Sequence, residues 1–310
     1  MHLTAQSLGS LPERPPSPPR GTPLTFSRRR FLRLCAGAAG ASALTGLYAW
    51  QVEPHWLEIV RRPLPIENLP DALMGRTLLQ ISDLHTGGRV SDSYLIDSLD
   101  RASALAPDIV AFTGDLISHH GDTWNHLKRT GPHLPRGRIA TVGSLGNHDY
   151  GLGWSHPEDA DRVTEALSGH GMRVLRNEVA EIEGMQFIGL DDLWARRFEP
   201  ESVLPKLDPT RAMLAMSHNP DTVDLPGWDN FRGWILSGHT HGGQCRPPFL
   251  PPPILPVVNK RYTSGEFELS NHRRMYISRG VGHLWQVRFN VRPEITLFTL
   301  TRVAVERGPK

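Results

Sequence analysis

The sequence has few cysteines, almost no net charge and no long, strongly apolar run, and each shortage limits what the protein can be. Its two cysteines are Cys35 and Cys245. Cys35 lies in an N-terminal segment typical of a leader, so removal of that segment would leave no pair for an internal disulfide bond. The cysteine content therefore gives no information on the redox compartment.

Basic and acidic residues nearly balance, at 34 and 32, which gives a formal net charge of +2. This balance offers no electrostatic reason to expect a specific nucleic-acid partner, and it disfavours a nuclease acting on a long polyanion. Charged residues make up 21% of the 310 residues and hydrophobic residues 39%, which is typical of a soluble globular body. The length suits one large domain or two small ones.

The first fifty residues differ from the rest. Residues 1–26 are rich in proline and serine and predict a disordered tail. The pair Arg28-Arg29, followed by Phe31 and Leu32, resembles the twin-arginine export signal, and an uncharged stretch then runs from Leu34 to Trp50.

Three interpretations of this stretch stay open. A transmembrane helix needs about 20 strongly apolar residues, and this stretch is shorter and contains glycines. A secretory leader has a basic region, an apolar core and a small-residue cleavage site, of which the first two are present. An internal helix after a chance arginine run is the third. We favour export by the twin-arginine machinery to the periplasm or cell envelope, with an uncleaved membrane anchor as a variant.

The remainder alternates between apolar runs and helical patterns. Residues 51–76 predict a linker and a first strand, and residues 77–305 the main domain. Short apolar runs predict strands buried on both faces: Thr77–Ile81, Ile109–Thr113, Ile139–Leu145, Met185–Leu190, Ala212–Met216 and Trp234–Leu236. Helices are predicted from Ser91 or Asp92 to before Pro107, and from Pro157 to Leu167. This alternation predicts an α/β layered fold, and late strands at Met275–Ser278 and Glu294–Leu300 suggest a second sheet.

Five polar clusters follow these strands, where ligand sites form in open α/β sheets. They are Asp83-Leu84-His85, Gly114-Asp115, Gly146-Asn147-His148-Asp149, His218 and Gly238-His239-Thr240-His241. In the first and last clusters one residue separates two polar side chains, so strand alternation would point both the same way. Each cluster alone is common, but five in order, each after an apolar run, indicate one shared site.

The order D-x-H, G-D, G-N-H-D, H and G-H-x-H resembles the calcineurin-like metallophosphoesterase superfamily. Gly242-Gly243-Gln244 and the segment Ser278–Gly282 resemble its bacterial branch of exported or envelope-associated phosphodiesterases. The resemblance extends from about Pro54 to the C-terminus. It implies an α/β fold in four layers, with a two-sheet β-sandwich flanked by helices.

The resemblance also implies a role for each polar residue. One divalent metal ion is held by Asp83, His85 and His241, a second by Asn147, His218 and His239, and Asp115 bridges both. His148 faces the substrate and protonates the leaving oxygen or stabilises transition-state charge. Asp149 either orients His148 or is a simple loop residue. Imidazole and carboxylate ligands suit Mn, Fe, Zn, Co or Ni, whereas calcium is disfavoured by so many nitrogen ligands.

The implied reaction is hydrolysis of a phosphodiester, with a metal-bridging hydroxide attacking phosphorus and His148 assisting departure. One alternative is a pyrophosphate hydrolase of the UDP-diacylglucosamine type. An alternative of another class is a non-catalytic, metal-binding envelope scaffold. Such a scaffold would be expected to have lost His148 or some of the ligands, and all of them are present here.

Several further residues have two interpretations each. Asp191-Asp192 either line the site or serve the loop, and His119 and His120 either reach substrate or lie in a solvated loop. Arg279 either meets a phosphate or is a surface arginine, and Cys245 is expected to be structural. The proline-rich run Pro247–Leu255 is either an apolar rim for a lipid-bearing substrate or the membrane surface, or a rigid loop packed under the site.

Overall fold

The computed structural model describes residues 27–119 and 121–303. The tail predicted for residues 1–26 and His120 lie outside these residues. The described chain forms one unit up to Leu44 and a second from Thr45 onward. Helix α1, Arg28–Leu47, begins at the arginine pair and continues through much of the uncharged stretch. Across the two described ranges, we find no helix with the combined length and hydropathy that crossing a bilayer requires.

The second unit contains three further α-helices among its described residues: α2 Asp92–Ser103, α3 Thr123–Thr130 and α4 Pro157–Gly169. Its strands, in chain order, are β1 Glu58–Ile66, β2 Thr77–Ile81, β3 Ile109–Thr113, β4 Ala140–Ser144, β5 Arg173–Val174, β6 Glu178–Ile182, β7 Met185–Gly189, β8 Met213–Met216, β9 Gly233–Ser237, β10 Gly265–Glu268, β11 Arg273–Ile277 and β12 Glu294–Arg302. The strands that the apolar runs predicted are confirmed within one or two residues. Both predicted helices are confirmed too, although α2 ends at Ser103, earlier than the predicted end just before Pro107.

The two predicted helices form on the expected faces. In α2, Leu95, Leu99 and Ala102 are buried. Ser91 precedes this helix, but its hydroxyl pairs with that of Ser93 at 2.7 Å and does not cap the helix. Helix α4 begins at Pro157 as predicted and continues to Gly169, two residues past the predicted end.

The described strands form two mixed sheets of six. The first has the order β1-β12-β2-β3-β4-β5, and the second has the order β10-β11-β9-β8-β7-β6. Strands β2 to β5 run parallel in the first sheet, and β7, β8, β9 and β11 run parallel in the second. Strand β1 pairs with β12 over its full length, so the first sheet already includes part of the segment predicted as a linker and first strand.

The layers are held by three apolar cores. One lies between the sheets and includes Leu78, Leu214 and Phe298. A second packs α2, α3 and α4 against the first sheet. The third covers the other face of the second sheet with short 3₁₀ turns and loops, through residues such as Leu204 and Trp228. The predicted two-sheet α/β sandwich flanked by helices is confirmed.

Candidate metal centre

The carboxyl ends of β2, β3 and β4 in one sheet, and of β8 and β9 in the other, bring the five polar clusters together. All seven predicted metal ligands are buried there: Asp83, His85, Asp115, Asn147, His218, His239 and His241. Burial of so many ionisable groups is costly unless they are paired or coordinate metal ions. The packing of the two sheets therefore creates one polar site from distant segments.

The side chains of Asp83, His85 and His241 form a first group whose geometry suits a metal ion. The Nε2 atoms of His85 and His241 lie 2.9 Å apart, and His241 Nε2 lies 3.3 Å from Asp83 Oδ1. One ligand atom from each of the three residues lies within 4.8 Å of the others. Nitrogen and oxygen atoms that converge in this way match a transition-metal site.

A second group lies on the other side of Asp115. His218 Nε2 is 3.1 Å from Asp115 Oδ2, and His239 Nδ1 is 3.3 Å from His218 Nε2. The same oxygen, Asp115 Oδ2, lies 3.6 Å from His85 Nε2. Asp115 is thus shared by both groups, which is the geometry expected of a bridging carboxylate.

Backbone carbonyl groups fix which nitrogen of two histidines faces the site. His218 Nδ1 lies 2.7 Å from the Thr113 carbonyl oxygen, and His239 Nε2 lies 2.8 Å from that of Pro256. A carbonyl oxygen only accepts, so each of these nitrogens carries the hydrogen and donates. The remaining nitrogens, Nε2 of His218 and Nδ1 of His239, are left as ligand atoms directed at Asp115 and each other.

Asn147 gives an independent indication that the site holds an ion. Its Oδ1 and Nδ2 atoms are both buried, and neither has a hydrogen-bond partner within residues 27–119 and 121–303. A buried amide without partners costs roughly 1–3 kcal/mol. A metal ion that accepts Oδ1 as a ligand offsets this cost, so the residues present fit the metal ions implied by their chemistry.

The ligands lie on strained backbone beyond the strands. Asp83, His85, Asp115, His239 and His241 all have positive φ, between 48° and 69°. Such values are uncommon for residues other than glycine, and they cluster at functional sites. The expectation that strand alternation aligns each ligand pair is therefore wrong, because β2 ends at residue 81 and β9 at residue 237. In each pair, both residues have left-handed backbone, and this conformation replaces the alternation of side chains along a strand.

Glycine at two positions lets the ligand loops approach closely. A Cβ atom at Gly146 would lie 2.3 Å from Asp115 Oδ1, and one at Gly282 would lie 2.2 Å from the Leu84 carbonyl oxygen. The amide of Gly282 donates to the Asp83 carbonyl oxygen at 2.7 Å. The segment Ser278–Gly282 thus supports the loop that carries Asp83 and His85.

Burial and mutual charge set the protonation of the ligands. Burial alone would raise the pKa of Asp115, but the charges of His218, His148 and His85 and the hydrogen bond with His218 together hold that pKa well below its ordinary value. Burial opposes a charged His218, yet Asp115 raises the pKa of its imidazole to about 10. Burial lowers the pKa of His239 to about 3 and that of His241 well below its ordinary value. The protein groups alone therefore favour an anionic Asp115 and neutral His239 and His241, as metal ligands require, whereas His218 must release a proton when it binds a metal ion.

His148 lies at the open edge of the cluster. It is half-buried, and its ring packs edge-on against that of His85 with centroids 4.9 Å apart. Its amide donates to Asp115 Oδ1 at 2.9 Å, and its carbonyl oxygen lies 3.1 Å from His119 Nε2. His119 therefore supports the turn that presents His148, while His120 is outside the described residues.

Asp149 is bound by backbone amides. Its Oδ2 accepts from the amides of Asp115 and Gly146, both at 2.9 Å, and its Oδ1 accepts from those of Leu116 and Ile117 at 2.8 and 3.2 Å. The observed contacts make Asp149 a clamp that shapes the turn of Asp115, the predicted bridging residue. Its role in orienting His148 stays a prediction.

Asp191 and Asp192 also serve the loops around the site. Asp191 Oδ2 accepts from the Tyr150 hydroxyl at 2.6 Å and from Arg176 Nε at 3.1 Å. Asp192 Oδ1 accepts from the Ala195 amide at 2.8 Å. Asp191 thereby ties the loop after β7 to the turn that ends at Tyr150, two residues after His148.

Two arginines near the site have structural contacts. Arg279 pairs with Glu294 and, at 2.9 Å, with Glu58, so two carboxylates hold its guanidinium. Arg288 was not singled out from the sequence, because nothing in its neighbourhood marks it. It is fully buried, and its Nη2 donates to the carbonyl oxygens of Gly282 and Arg279 at 2.6 and 2.9 Å. It thereby fixes the segment behind His241.

Comparisons with known proteins agree with this geometry. The family model described as calcineurin-like phosphoesterase matches residues 76–243. The chain is 32% identical to the phosphodiesterase YaeI of Escherichia coli, over 89% of this chain and 99% of that protein. It is 34% identical to the uncharacterized metallophosphoesterase YkuE of Bacillus subtilis, over 89% and 98% of the two chains.

A further relative has a more specific name. The chain is 27% identical to the UDP-2,3-diacylglucosamine pyrophosphatase LpxG of Chlamydia trachomatis, over 83% of this chain and 93% of that protein. The matched family segment spans all five polar clusters and more than half of the chain. The protein belongs to the calcineurin-like phosphoesterase family and is a hydrolase that acts on phosphoester bonds.

Proposed function

We propose that this protein is a phosphodiesterase that uses two divalent metal ions. The observation that carries the proposal is the position of Asp115 Oδ2, within 3.1 Å of His218 Nε2 and 3.6 Å of His85 Nε2. One ion takes Asp83, His85 and His241, the other takes Asn147, His218 and His239, and Asp115 serves both. When bound, such a pair lowers the pKa of a shared water and withdraws charge from the phosphoryl oxygens.

The residues of the chain supply the rest of the chemistry. His148 is half-buried at the edge of the buried cluster, so its ring can meet both solvent and substrate. An imidazole there donates a proton to the leaving oxygen or stabilises its developing charge. Asp149 and His119 act on the backbone of the same turn, so we assign them positioning roles.

A lipid-bearing substrate is supported by an apolar pocket beside the centre. A cavity of about 310 Å³ shares His241 and Thr240 with the centre, and its other walls include Ile254, Leu284 and Trp285. Phe249 and Leu250, at the tip of the proline-rich segment, are exposed. Exposed apolar groups on a segment that also lines an apolar cavity, through Pro253 and Ile254, suit an acyl chain or the surface of a bilayer. The name of LpxG, a UDP-2,3-diacylglucosamine pyrophosphatase, is consistent with such a substrate, which makes pyrophosphate hydrolysis our second candidate.

The two interpretations apply to different parts of the proline-rich segment taken together with the residues that continue it to Asn259. The end of this longer stretch is fixed: Pro256 accepts from His239, and the amides of Val258 and Asn259 donate to Asp221. Its tip exposes Phe249 and Leu250. We therefore assign the fixed end to the metal centre and the tip to contact with lipid.

A substrate panel tests the proposed reaction. Purified protein with added Mn²⁺ is assayed with bis(p-nitrophenyl) phosphate, p-nitrophenyl phosphate and a UDP-linked lipid. We expect turnover of the diester to exceed that of the monoester, and hydrolysis of the UDP-lipid would favour the second candidate. Absence of turnover with all three substrates would contradict both.

We also propose export by the twin-arginine route and association with the cell envelope. The support is Arg28-Arg29 at the start of α1 and the absence of acidic residues in the first turn of that helix. The exposed Trp50 follows α1, and its carbonyl oxygen accepts from Gln286 Nε2 at 3.2 Å, next to Trp285 of the apolar pocket. Cell fractionation of an Arg28→Lys/Arg29→Lys variant should show retention in the cytoplasm. Unchanged export would contradict the proposed route.

A further inference from the structure

Two tryptophans form an aromatic surface that extends from the candidate metal centre. The rings of Trp154 and Trp194 lie 4.6 Å apart, inclined by 34°. Trp194 meets the His239 ring edge-on at 4.3 Å, and Trp154 lies 6.5 Å from the His148 ring. Both tryptophans are half-buried. A group stacked on this surface would therefore lie beside both a proposed metal ligand and the proposed proton donor.

The surface is built from two turns that are locked together. Trp154 belongs to the turn after Tyr150, and Trp194 belongs to the turn after Asp191 and Asp192. The hydrogen bond of 2.6 Å between the Tyr150 hydroxyl and Asp191 links the two turns. Asp192 closes the second turn through the Ala195 amide. Because both turns are fixed, a ligand does not need to order the surface when it binds.

Positive charge borders the same surface. A cleft of about 600 Å³ is lined by both tryptophans together with Arg196 and Arg197. Both arginines are exposed, and within the two described ranges neither guanidinium makes a hydrogen bond or an ion pair. No acidic side chain lines this cleft in the described part of the chain. The cleft thus combines flat aromatic faces with uncompensated cations.

We propose that this surface, the Trp154–Trp194 platform, binds the base of a nucleotide that forms one part of the substrate. Aromatic side chains stack on any nucleobase because every base has a π face, and arginine recognises phosphate. An acyl chain would instead favour the apolar cavity on the His241 side. The inference rests on the proposed function, because the nucleotide phosphate must reach the metal centre while its base lies on the platform.

Calorimetric titration of the Mn²⁺-loaded full chain tests the platform with uridine 5′-monophosphate and ribose 5-phosphate. The two probes share the phosphate and differ in the base. We expect wild-type protein to bind the nucleotide about tenfold or more tightly, since stacking on an aromatic side chain contributes on that order. Trp154→Leu and Trp194→Leu should reduce this preference severalfold and leave ribose 5-phosphate binding unchanged.

Further variants separate stacking from folding defects. Trp154→Phe and Trp194→Phe keep an aromatic face and should retain most of the preference, even if a leucine variant fails to fold. Arg196→Gln/Arg197→Gln should weaken both probes severalfold. Trp124→Leu is the matched control, because Trp124 is a half-buried tryptophan next to an arginine but lies in α3, where its ring centroid is 3.7 Å from Cζ of Arg162. It should change neither affinity.

Three results would overturn the inference. The first is equal affinity of wild-type protein for both probes, and the second is an undiminished nucleotide preference in both leucine variants. The third is loss of binding of both probes in the leucine variants, which would assign the platform to a sugar. Failure of the proposed function would appear separately, as a lack of turnover of every phosphoester with Mn²⁺. Turnover of diesters together with no preference for the base would reject the platform alone.

Discussion

The Nε2 atom of His239 lies 2.8 Å from the carbonyl oxygen of Pro256, and this contact decides which ring nitrogen faces the candidate metal centre. Since the carbonyl can only accept, Nδ1 of His239 is the nitrogen that remains for a metal ion. Pro256 ends the proline-rich part of the chain. The carbonyl oxygen of Pro256 therefore helps to hold His239 in place at the candidate metal centre.

Asp221 should affect metal binding although it is not a ligand. Its carboxylate accepts from the amides of Val258 and Asn259 at 2.6 and 3.0 Å, and so fixes the backbone just beyond Pro256. We expect Asp221→Ala to weaken metal affinity about 10- to 100-fold, as loss of such outer support does elsewhere. Competition with a chelator measures the change. Asp208→Ala is the control, because among the described residues the exposed Asp208 carboxylate accepts hydrogen bonds only from Thr210. Unchanged affinity in the Asp221 variant would contradict this role.

Asp149→Asn should damage stability and metal binding together. The four backbone amides that donate to Asp149 need carboxylate oxygens, and an amide nitrogen in one position leaves some of them without an acceptor. We expect the free energy of unfolding to fall by about 1–3 kcal/mol, with lower metal content. Chemical denaturation and elemental analysis measure the two quantities. A variant with normal stability and full metal content but low kcat would instead support an effect through His148.

His148→Ala should separate catalysis from metal binding. The ring lies at the edge of the ligand cluster, so its removal leaves the proposed ligands in place. We expect kcat for the diester to fall about 10²- to 10⁴-fold, as for loss of a general acid. Metal content should stay at the wild-type level. His133→Ala, at an exposed pair with Asp100, should leave both unchanged. Turnover equal to wild type would show that the role assigned to His148 is wrong.

Asp108 lies far from the candidate metal centre, and it should make the stability of the fold depend on pH. Burial would raise the pKa of Asp108, but hydrogen bonds from Thr77 and Arg138 outweigh it and lower that pKa. The carboxylate therefore stabilises the fold at neutral pH, and this contribution disappears as the pH falls through the lowered pKa. Asp108→Asn should lose about 1–3 kcal/mol at pH 7. The difference from wild type, measured by denaturation, should shrink below about pH 4. A difference that stays constant with pH would contradict the assigned charge.

The strands and the positions of the proposed ligands could be predicted because each polar cluster directly follows an apolar run. Runs such as Ile109–Thr113 are buried on both faces, and their composition shows it directly. The residues that follow parallel strands meet at one edge, so Asp115 and Asn147 were expected to be neighbours. The sandwich itself followed from the family resemblance, since the runs alone do not define which strands pair.

The supporting contacts could not be predicted, because they depend on backbone atoms from distant segments. The Pro256 carbonyl and the amides that bind Asp149 have no sequence pattern of their own. Arg288 is a buried cation whose partners are carbonyl oxygens, and such partners leave no trace in composition. Left-handed backbone at Asp83 and His85 was likewise unexpected, since neither residue is glycine.

The most direct measurement of the proposed two-ion centre is elemental analysis of wild-type protein and Asp115→Ala, purified in parallel with the same divalent metal. Asp115 Oδ2 lies within 3.6 Å of a ligand atom from each group, so both ions should depend on it. We expect two metal ions per wild-type chain and fewer than one in the variant. Two ions per chain in Asp115→Ala would contradict the bridge and with it the assignment of the centre.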